Sequence, residues 1–490
     1  MGEAPQAKGT AGRLARPGAA ALALMLGGCV SGSVLDQVAS QTDPTRVPAQ
    51  RSLLPAEHQR ILAAYHGAYD DPRLEALVKQ TVDKLVAASE RPDQTYRVTI
   101  LNSPAINAFA LPSGQLYATR GLIALANDTS ELASVLSHEM AHVIAQHAAI
   151  REDRARQAAL VTRVFDNLGS DPEVSALKLA KSKIALATFS REQEFEADGV
   201  GVGIAARAGY DPYGAVRFLT AMERNAELRP AARAQAGGRP ADFLSSHPAT
   251  PERVRNAQKN ARAFTAPGSG ERDRANYLGS IDGMVYGEDP SEGFARGRRF
   301  LHPRLGFTFV APEGFTLDNT AQAIIGVNEG GGQALRLDVV RLPAGQPLTR
   351  YLTSGWMEGV EGESVQDVGI SAFEAATATA KSNEWAFRLY AIRFDSDVYR
   401  FVFASKAMTP ETDRAFRESV STFRRMSPEE SKAAKPLHLK VVAVGAEETV
   451  EQLASRMAVS DHPIERFRML NGLSPNDRIK AGDRVKTVVE

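Results

Sequence analysis

Between Ser134 and Ile144 the chain has neither glycine nor proline, and its apolar residues recur at helical spacing, so Ser134-Val-Leu-Ser-His-Glu-Met-Ala-His-Val-Ile144 reads as a helix. Positions i and i+4 of a helix share a face. His138 and His142 can therefore reach one metal ion, and Glu139 stands beside it, placed to take a proton from a metal-bound water. The competing reading is an amphipathic helix with two surface histidines. Any fold that uses the motif must bring a further ligand to this helix from elsewhere in the chain.

His147 lies nine residues past His138. On a continuous helix that is about half a turn from the ligand face, which argues against it as the third ligand. Ala145 and Ala148 stand where a longer His-rich zinc motif would need glycine and histidine. A better source is Ser190-Arg-Glu-Gln-Glu-Phe-Glu-Ala-Asp198, a second helical stretch. Its Glu194 and Asp198 share a face at i and i+4, so one helix can supply a ligand carboxylate and a second carboxylate that orients a ligand histidine. Glu192 and Glu196 point elsewhere and read as solvated. Gly199-Val-Gly-Val-Gly203 continues this helix and follows no strand, so its glycines read as close helix packing and not as a nucleotide loop.

The chain, at 490 residues, is too long for one ordinary core. The expectation is an α+β multidomain protein. Residues 51–263 form a mainly helical unit with strands near Tyr96 to Leu101 and Gln115 to Thr119, and Asp128 with Glu131 gives a capping-box-like helix start. Residues 264–300 hold Pro267-Gly-Ser-Gly270, Gly283, Gly287, Pro290 and Gly293, and read as a linker. Residues 301–425 mix strand and helix patterns as an α/β domain. A charged connector leads to a small βααβ unit at 437–490. Lys432 to Lys440 reads as a solvated basic stretch. Lysines plus arginines equal aspartates plus glutamates, 58 of each, which speaks against nucleic acid as a partner.

The N-terminus joins Lys8, Arg13 and Arg16 to a short apolar run from Gly18 to Leu26, the pattern of an export signal. Leu26-Gly27-Gly28-Cys29 resembles a bacterial lipobox, which implies a lipoprotein signal peptide at 1–28, lipidation of Cys29 and a tether over 29–50. Cys29 is the chain's one cysteine, so no disulfide competes for it. Val30 in place of aspartate implies sorting to the outer membrane of a Gram-negative bacterium, on its periplasmic face. A simple secretory signal with an incidental cysteine is the alternative.

The motif His138-Glu-Met-Ala-His142 followed by Ser190-Arg-Glu-Gln-Glu-Phe-Glu-Ala-Asp198 resembles the gluzincin family of the CAAX prenyl endopeptidase and the heat-shock protease HtpX, in particular its soluble periplasmic BepA-like subgroup. The resemblance covers about residues 51–263. It implies a zincin-type fold with Zn2+ on His138, His142 and Glu194, Glu139 as catalytic base and Asp198 behind a ligand. It further implies a substrate-pairing strand at Asn107, Ala108 and Phe109, and a role for His247 of a His-Pro motif, either steadying the oxyanion or occupying the open metal position. The implied activity is metalloendopeptidase, acting on unfolded or misassembled envelope proteins in quality control. An envelope scaffold or chaperone with a closed metal site is the competing class. Residues 437–490 resemble a LysM domain, which implies peptidoglycan as a partner, although Glu447-Glu-Thr449 departs from the usual Gly-Asp-Thr. Residues 301–425 loosely resemble the PsbP fold.

Overall fold

The computed structural model describes residues 54–151, 189–228, 243, 247 and 250–490, apart from 321, 322, 329, 344, 383, 460 and 461. The export signal, Cys29 and the tether lie outside the described residues. No described helix is long and apolar enough to cross a membrane.

The first unit opens with α1 (Leu54–Ala64) and α2 (Pro72–Ala87), continues through β1 (Arg97–Leu101), β2 (Ala108–Ala110) and β3 (Gln115–Thr119), and then turns helical with α3 (Arg120–Leu125) and α4 (Thr129–Ile144). After them come α5 (Arg191–Arg207), α6 (Gly214–Glu227) and α7 (Pro251–Phe264). The sheet order is β1-β3-β2, with β1 parallel and β2 antiparallel to β3, so β2 is an edge strand lying beside α4. Local chemistry explains the helix starts. Asp128 caps α4 by accepting from Glu131 N, while the Glu131 carboxylate accepts from Asn127 N, one residue outside the usual capping box. Ser190 and Gln193 form a reciprocal box at the start of α5, and Thr250 with Pro251 starts α7.

The helix does not run on unbroken through His147: α4 stops at Ile144, because Gln146 adopts a left-handed φ of 56° and turns the chain. Among the glycines of α5, Gly201 serves close packing. A Cβ on Gly201 would stand 2.9 Å from the backbone N of His138 and 3.0 Å from its Cα. Gly201 therefore sets the distance between α5 and the motif helix.

Residues 264–300 are not a plain linker. They contain α8 (Arg274–Ile281), β4 (Val285–Tyr286), β5 (Phe294–Arg296) and the first part of β6 (Arg299–His302). The breakers there sit in turns, with positive φ at Gly283, Gly287 and Gly293, and between them Tyr277, Leu278 and Ile281 are buried in the core of the first unit.

The next domain is richer in strands than the sequence suggested. A short sheet, β5-β6-β7 (Phe307–Val310) with β15 (Arg424–Arg425), packs beside a seven-stranded antiparallel sheet. That sheet runs in the order β11 (Gln366–Ile370), β12 (Phe373–Lys381), β13 (Ala386–Phe394), β14 (Asp397–Ser405), β10 (Gln333–Val340), β9 (Ile324–Asn328), β8 (Phe315–Asn319). Its helices are α9 (Leu348–Leu352) and α10 (Pro410–Ser421). Strand β12, Phe-Glu-Ala-Ala-Thr-Ala-Thr-Ala-Lys, is poor in β-favouring residues and is held by pairing on both sides.

After α11 (Pro428–Ala433), the last unit has the expected βααβ order: β16 (Leu437–Ala443), α12 (Val450–Ser455), α13 (Pro463–Leu470) and β17 (Arg484–Val489). It is not a separate bead. β16 pairs with both β17 and β4, and Leu439, Leu453, Phe467 and Val488 share one apolar core with Leu122, Leu132 and Leu136.

Gly201→Ala tests the helix approach. The methyl should gain roughly 1 kcal/mol of helix propensity but cost about 1–3 kcal/mol in overpacking, lowering the urea midpoint. Gly199→Ala, whose Cβ would meet only Asn260 at 3.6 Å, should leave the midpoint unchanged or raise it.

Candidate metal centre

Helix α4 presents His138 and His142 toward α5, and the Gly201 contact lets α5 lay Glu194 against them. His247 arrives from the segment before α7. These four residues are buried, and one ligand atom from each lies within 4.8 Å of the others. Nε2 of His138 is 3.0 Å from Nε2 of His142 and 3.4 Å from Nδ1 of His247. Glu194 brings Oε1 to 2.8 Å from Nδ1 of His247 and 3.5 Å from Nε2 of His142, and Oε2 to 3.6 Å from Nε2 of His138. Donors about 2.0–2.2 Å from one tetrahedral centre stand roughly 3.4 Å apart, so the observed separations fit a single ion. The donor set of imidazoles and one carboxylate suits a borderline first-row metal.

Three of the four donors are held from behind. Nδ1 of His138 is 3.0 Å from Oδ1 of Asp198, as expected for a carboxylate that fixes a ligand's tautomer. Arg253, on α7, donates from Nε and Nη2 to Asp198 at 2.9 and 2.7 Å and places Nη1 2.7 Å from Oε2 of Glu194. Sequence reasoning missed this arginine as a site residue. Its only signal was a position just inside a capped helix that follows His247, and no spacing rule ties such a position to a helix fifty residues earlier.

His147 is outside the four donors, as expected, but it does not face away. The turn at Gln146 swings it back so that its Nδ1 lies 2.8 Å from Nδ1 of His142, and its Nε2 lies 3.3 Å from Glu196. Glu196 is exposed yet engaged, a correction to its reading as merely solvated. Two aromatic rings complete the walls. Phe189 stacks on His142 with centroids 4.0 Å apart, and Phe243 stacks on His247 at 4.5 Å. Neither had a signal in the sequence, because their neighbours are set by tertiary contacts alone.

Burial dominates the electrostatics. It pushes the Glu139 carboxyl up, opposed by His247 and His138, and it lowers His142 to about 3. Burial alone would raise Glu194, but bonds from His142 and His247 hold it well below the carboxylate range. Asp198 is likewise kept low against burial by Arg253 and His138. Burial would lower His138, but the carboxylates of Asp198 and Glu194 together raise it. Oε1 of Glu139 is buried with no hydrogen-bond partner among the described residues, 3.7 Å from Nε2 of His247. A buried carboxylate oxygen left unpaired beside four converging donors marks a place for a polar guest.

The predicted substrate strand is in part corrected. Ala108 and Phe109 lie in edge strand β2, but Asn107 precedes it and faces inward. The Asn107 N–H donates to Thr119 Oγ1, its carbonyl accepts from Thr119 N and its side chain donates to Tyr65 Oη. Antiparallel alternation leaves the backbone groups of Ala108 and Ala110 on the outer side.

A helix-borne pair of histidines, a carboxylate from a second helix and a buried glutamate between them define a zincin-type metallopeptidase domain. Residues 72–261 match the profile of peptidase family M48. It is 27% identical over 201 residues to the β-barrel assembly-enhancing protease of Escherichia coli (39% of this chain, 40% of that protein). It is 26% identical over 257 residues to the putative β-barrel assembly-enhancing protease of Vibrio cholerae (48% and 51%). The mitochondrial metalloendopeptidase OMA1 of Schizosaccharomyces pombe is 27% identical over 212 residues (43% and 58%). The chain thus spans about half the length of the curated relatives it matches, between 40% and 58%. Among solved structures, cyanobacterial PsbP from Synechocystis is similar at 12% identity and a TM-score of 0.22, covering 29% of this chain and 98% of that one. At that level it carries no argument about residues 301–425.

Metal analysis should find one divalent ion per parent chain. His138→Ala, His142→Ala and Glu194→Ala should each lose it. His147→Ala should keep the stoichiometry but weaken affinity about 10–100-fold in chelator competition, because it removes the group that orients His142.

Proposed function

We propose that this chain is a zinc-dependent metalloendopeptidase that cleaves unfolded or misassembled proteins of the Gram-negative envelope. The observation that carries the reading is the convergence of His138, His142 and Glu194 beside the buried Glu139, whose Oε1 makes no hydrogen bond among the described residues. The names of the Escherichia coli and Vibrio cholerae relatives, β-barrel assembly-enhancing proteases, support a role in the assembly of β-barrel proteins and, with it, an envelope setting. The export pattern before Cys29 supports a periplasmic, lipid-anchored placement. The βααβ order of residues 437–490 supports their LysM-like reading and, with it, a hold on peptidoglycan.

His138, His142 and Glu194 would hold zinc, which would supply an activated water near neutral pH and polarise the scissile carbonyl. The chain's residues do the rest. The outer edge of β2 takes extended backbone by adding a strand, which selects unfolded segments over folded ones. Glu139, desolvated and raised in pKa, accepts the proton of the attacking water and returns it to the leaving amine. Arg253 and Asp198 hold Glu194 and His138 in place. His247 stands among the donors and would close the fourth position, restraining the resting enzyme. Its place among the donors is the one observation favouring the alternative reading as a scaffold or chaperone.

Glu139→Gln should retain metal and fold yet lose casein hydrolysis, because the amide keeps the size and cannot accept the proton. Equal turnover by both proteins would remove Glu139 from the mechanism. His247→Ala should raise casein turnover, as removal of a plug would. A fall on the order of a hundredfold would instead identify an oxyanion donor, and inactivity of both parent and variant would leave the scaffold reading.

A further inference from the structure

The last strand of the chain reaches the start of the metal-site helix. Lys486, in β17, is fully buried. Its Nζ donates to the carbonyls of Ala124 and Ala126 at 2.8 Å each and of Leu125 at 3.3 Å. These carbonyls end α3 and immediately precede the Asn127–Asp128 cap of α4. A helix leaves its last carbonyls unpaired at the negative end of its dipole, so an amine donor is the chemical complement.

The lysine is not there by chance of a flexible tail. Asn471 accepts from Lys486 N at 2.7 Å and donates to the Lys486 carbonyl at 2.9 Å, which fixes the strand that presents the side chain. Arg274 donates to Asn127 O at 2.8 Å and to Arg484 O at 3.2 Å, bridging the two units. Arg224, on α6, donates to Leu473 O and Ser474 Oγ, both at 3.0 Å. On the far side of the same cap, Arg217 joins Asp128, Ser130, Glu131 and Asp211 in one buried network. Burial pushes Lys486 well below the usual lysine range, with Arg274 adding to the effect and Glu131 and Asp128 opposing it. Burying an amine without partners would cost several kcal/mol, so the three carbonyls define where this strand must sit.

We propose that Lys486 is a positioning residue of the peptidase site, and that the 437–490 unit completes the peptidase domain by fixing the start of α4. The proposal rests on the peptidase reading above. From the Asp128 cap to His138 the chain covers about 15 Å of helix at 1.5 Å per residue. A tilt of about 4° at the cap would move the ligand by about 1 Å, a displacement that can cost on the order of a hundredfold in rate. β2, which would hold substrate, is fixed mainly by its pairing with β3.

Two measurements on the full chain test this. With a protease site inserted in the connector after Ala433, cleavage should leave the 437–490 fragment co-eluting with the remainder on native size exclusion, whereas a freely eluting fragment overturns the proposal. Lys486→Met should lower kcat on casein about tenfold or more with KM within about twofold, and should release zinc to a chelator more readily than the parent. Unchanged kcat and zinc retention overturn it. If that variant does not fold, Asn471→Ala, which only loosens the presenting strand, carries the same expectation at smaller size. An inactive parent would sink the peptidase reading, and the elution and chelator measurements would still decide this one.

Discussion

The backbone contact between α4 and α5 at Gly201 is the constraint on which the site depends. Only a residue without Cβ allows α5 so close to His138, and only at that distance does Glu194 reach the two imidazoles. Once it does, burial makes every remaining polar group demand a partner. Asp198 is matched by Arg253 and His138, Glu194 by Arg253 and His247, and His142 by His147. Glu139 is held most loosely, its Oε1 making no hydrogen bond among the described residues and standing 3.7 Å from Nε2 of His247. The chemistry proposed for it is that of a buried carboxylate with room for a closer polar partner.

The same helix is anchored at its other end by a different kind of interaction. Asp128, Glu131 and Asp211 surround Arg217, while Lys486 and Arg274 grip the carbonyls just before the cap. Few of these charges could be removed singly without stranding another in a desolvated site. The motif helix is thus tied to elements from α6, α8 and β17, which are distant in sequence. The last unit has the small size and βααβ order of a detachable module, yet it shares its apolar core with the peptidase domain.

Much of the site was legible from local rules. Helical spacing placed His138, Glu139 and His142 on one helix and Glu194 with Asp198 on another, and the absence of a preceding strand marked the glycines of α5 as packing residues. Where periodicity was extended past a break, it misled. The half-turn argument for His147 assumed a continuous helix, but the left-handed Gln146 redirects the chain. Breaker density misled over 264–300 for a related reason, since turns between short buried elements and a true linker share the same composition.

Sequence alone determined what depends on neighbours a few residues apart: the ligand spacing on each helix, the caps at Asp128, Ser190 and Thr250, and the order of elements in the last unit. Tertiary structure alone decided that Arg253 bridges Asp198 and Glu194, that Phe189 and Phe243 wall the site, and that Lys486 holds the start of α4. The physical reason is that each of these is a desolvated contact between elements far apart in the chain. Hydrogen-bond demand selects such a partner only after packing has excluded water, and no local pattern records which distant residue will be there to meet it.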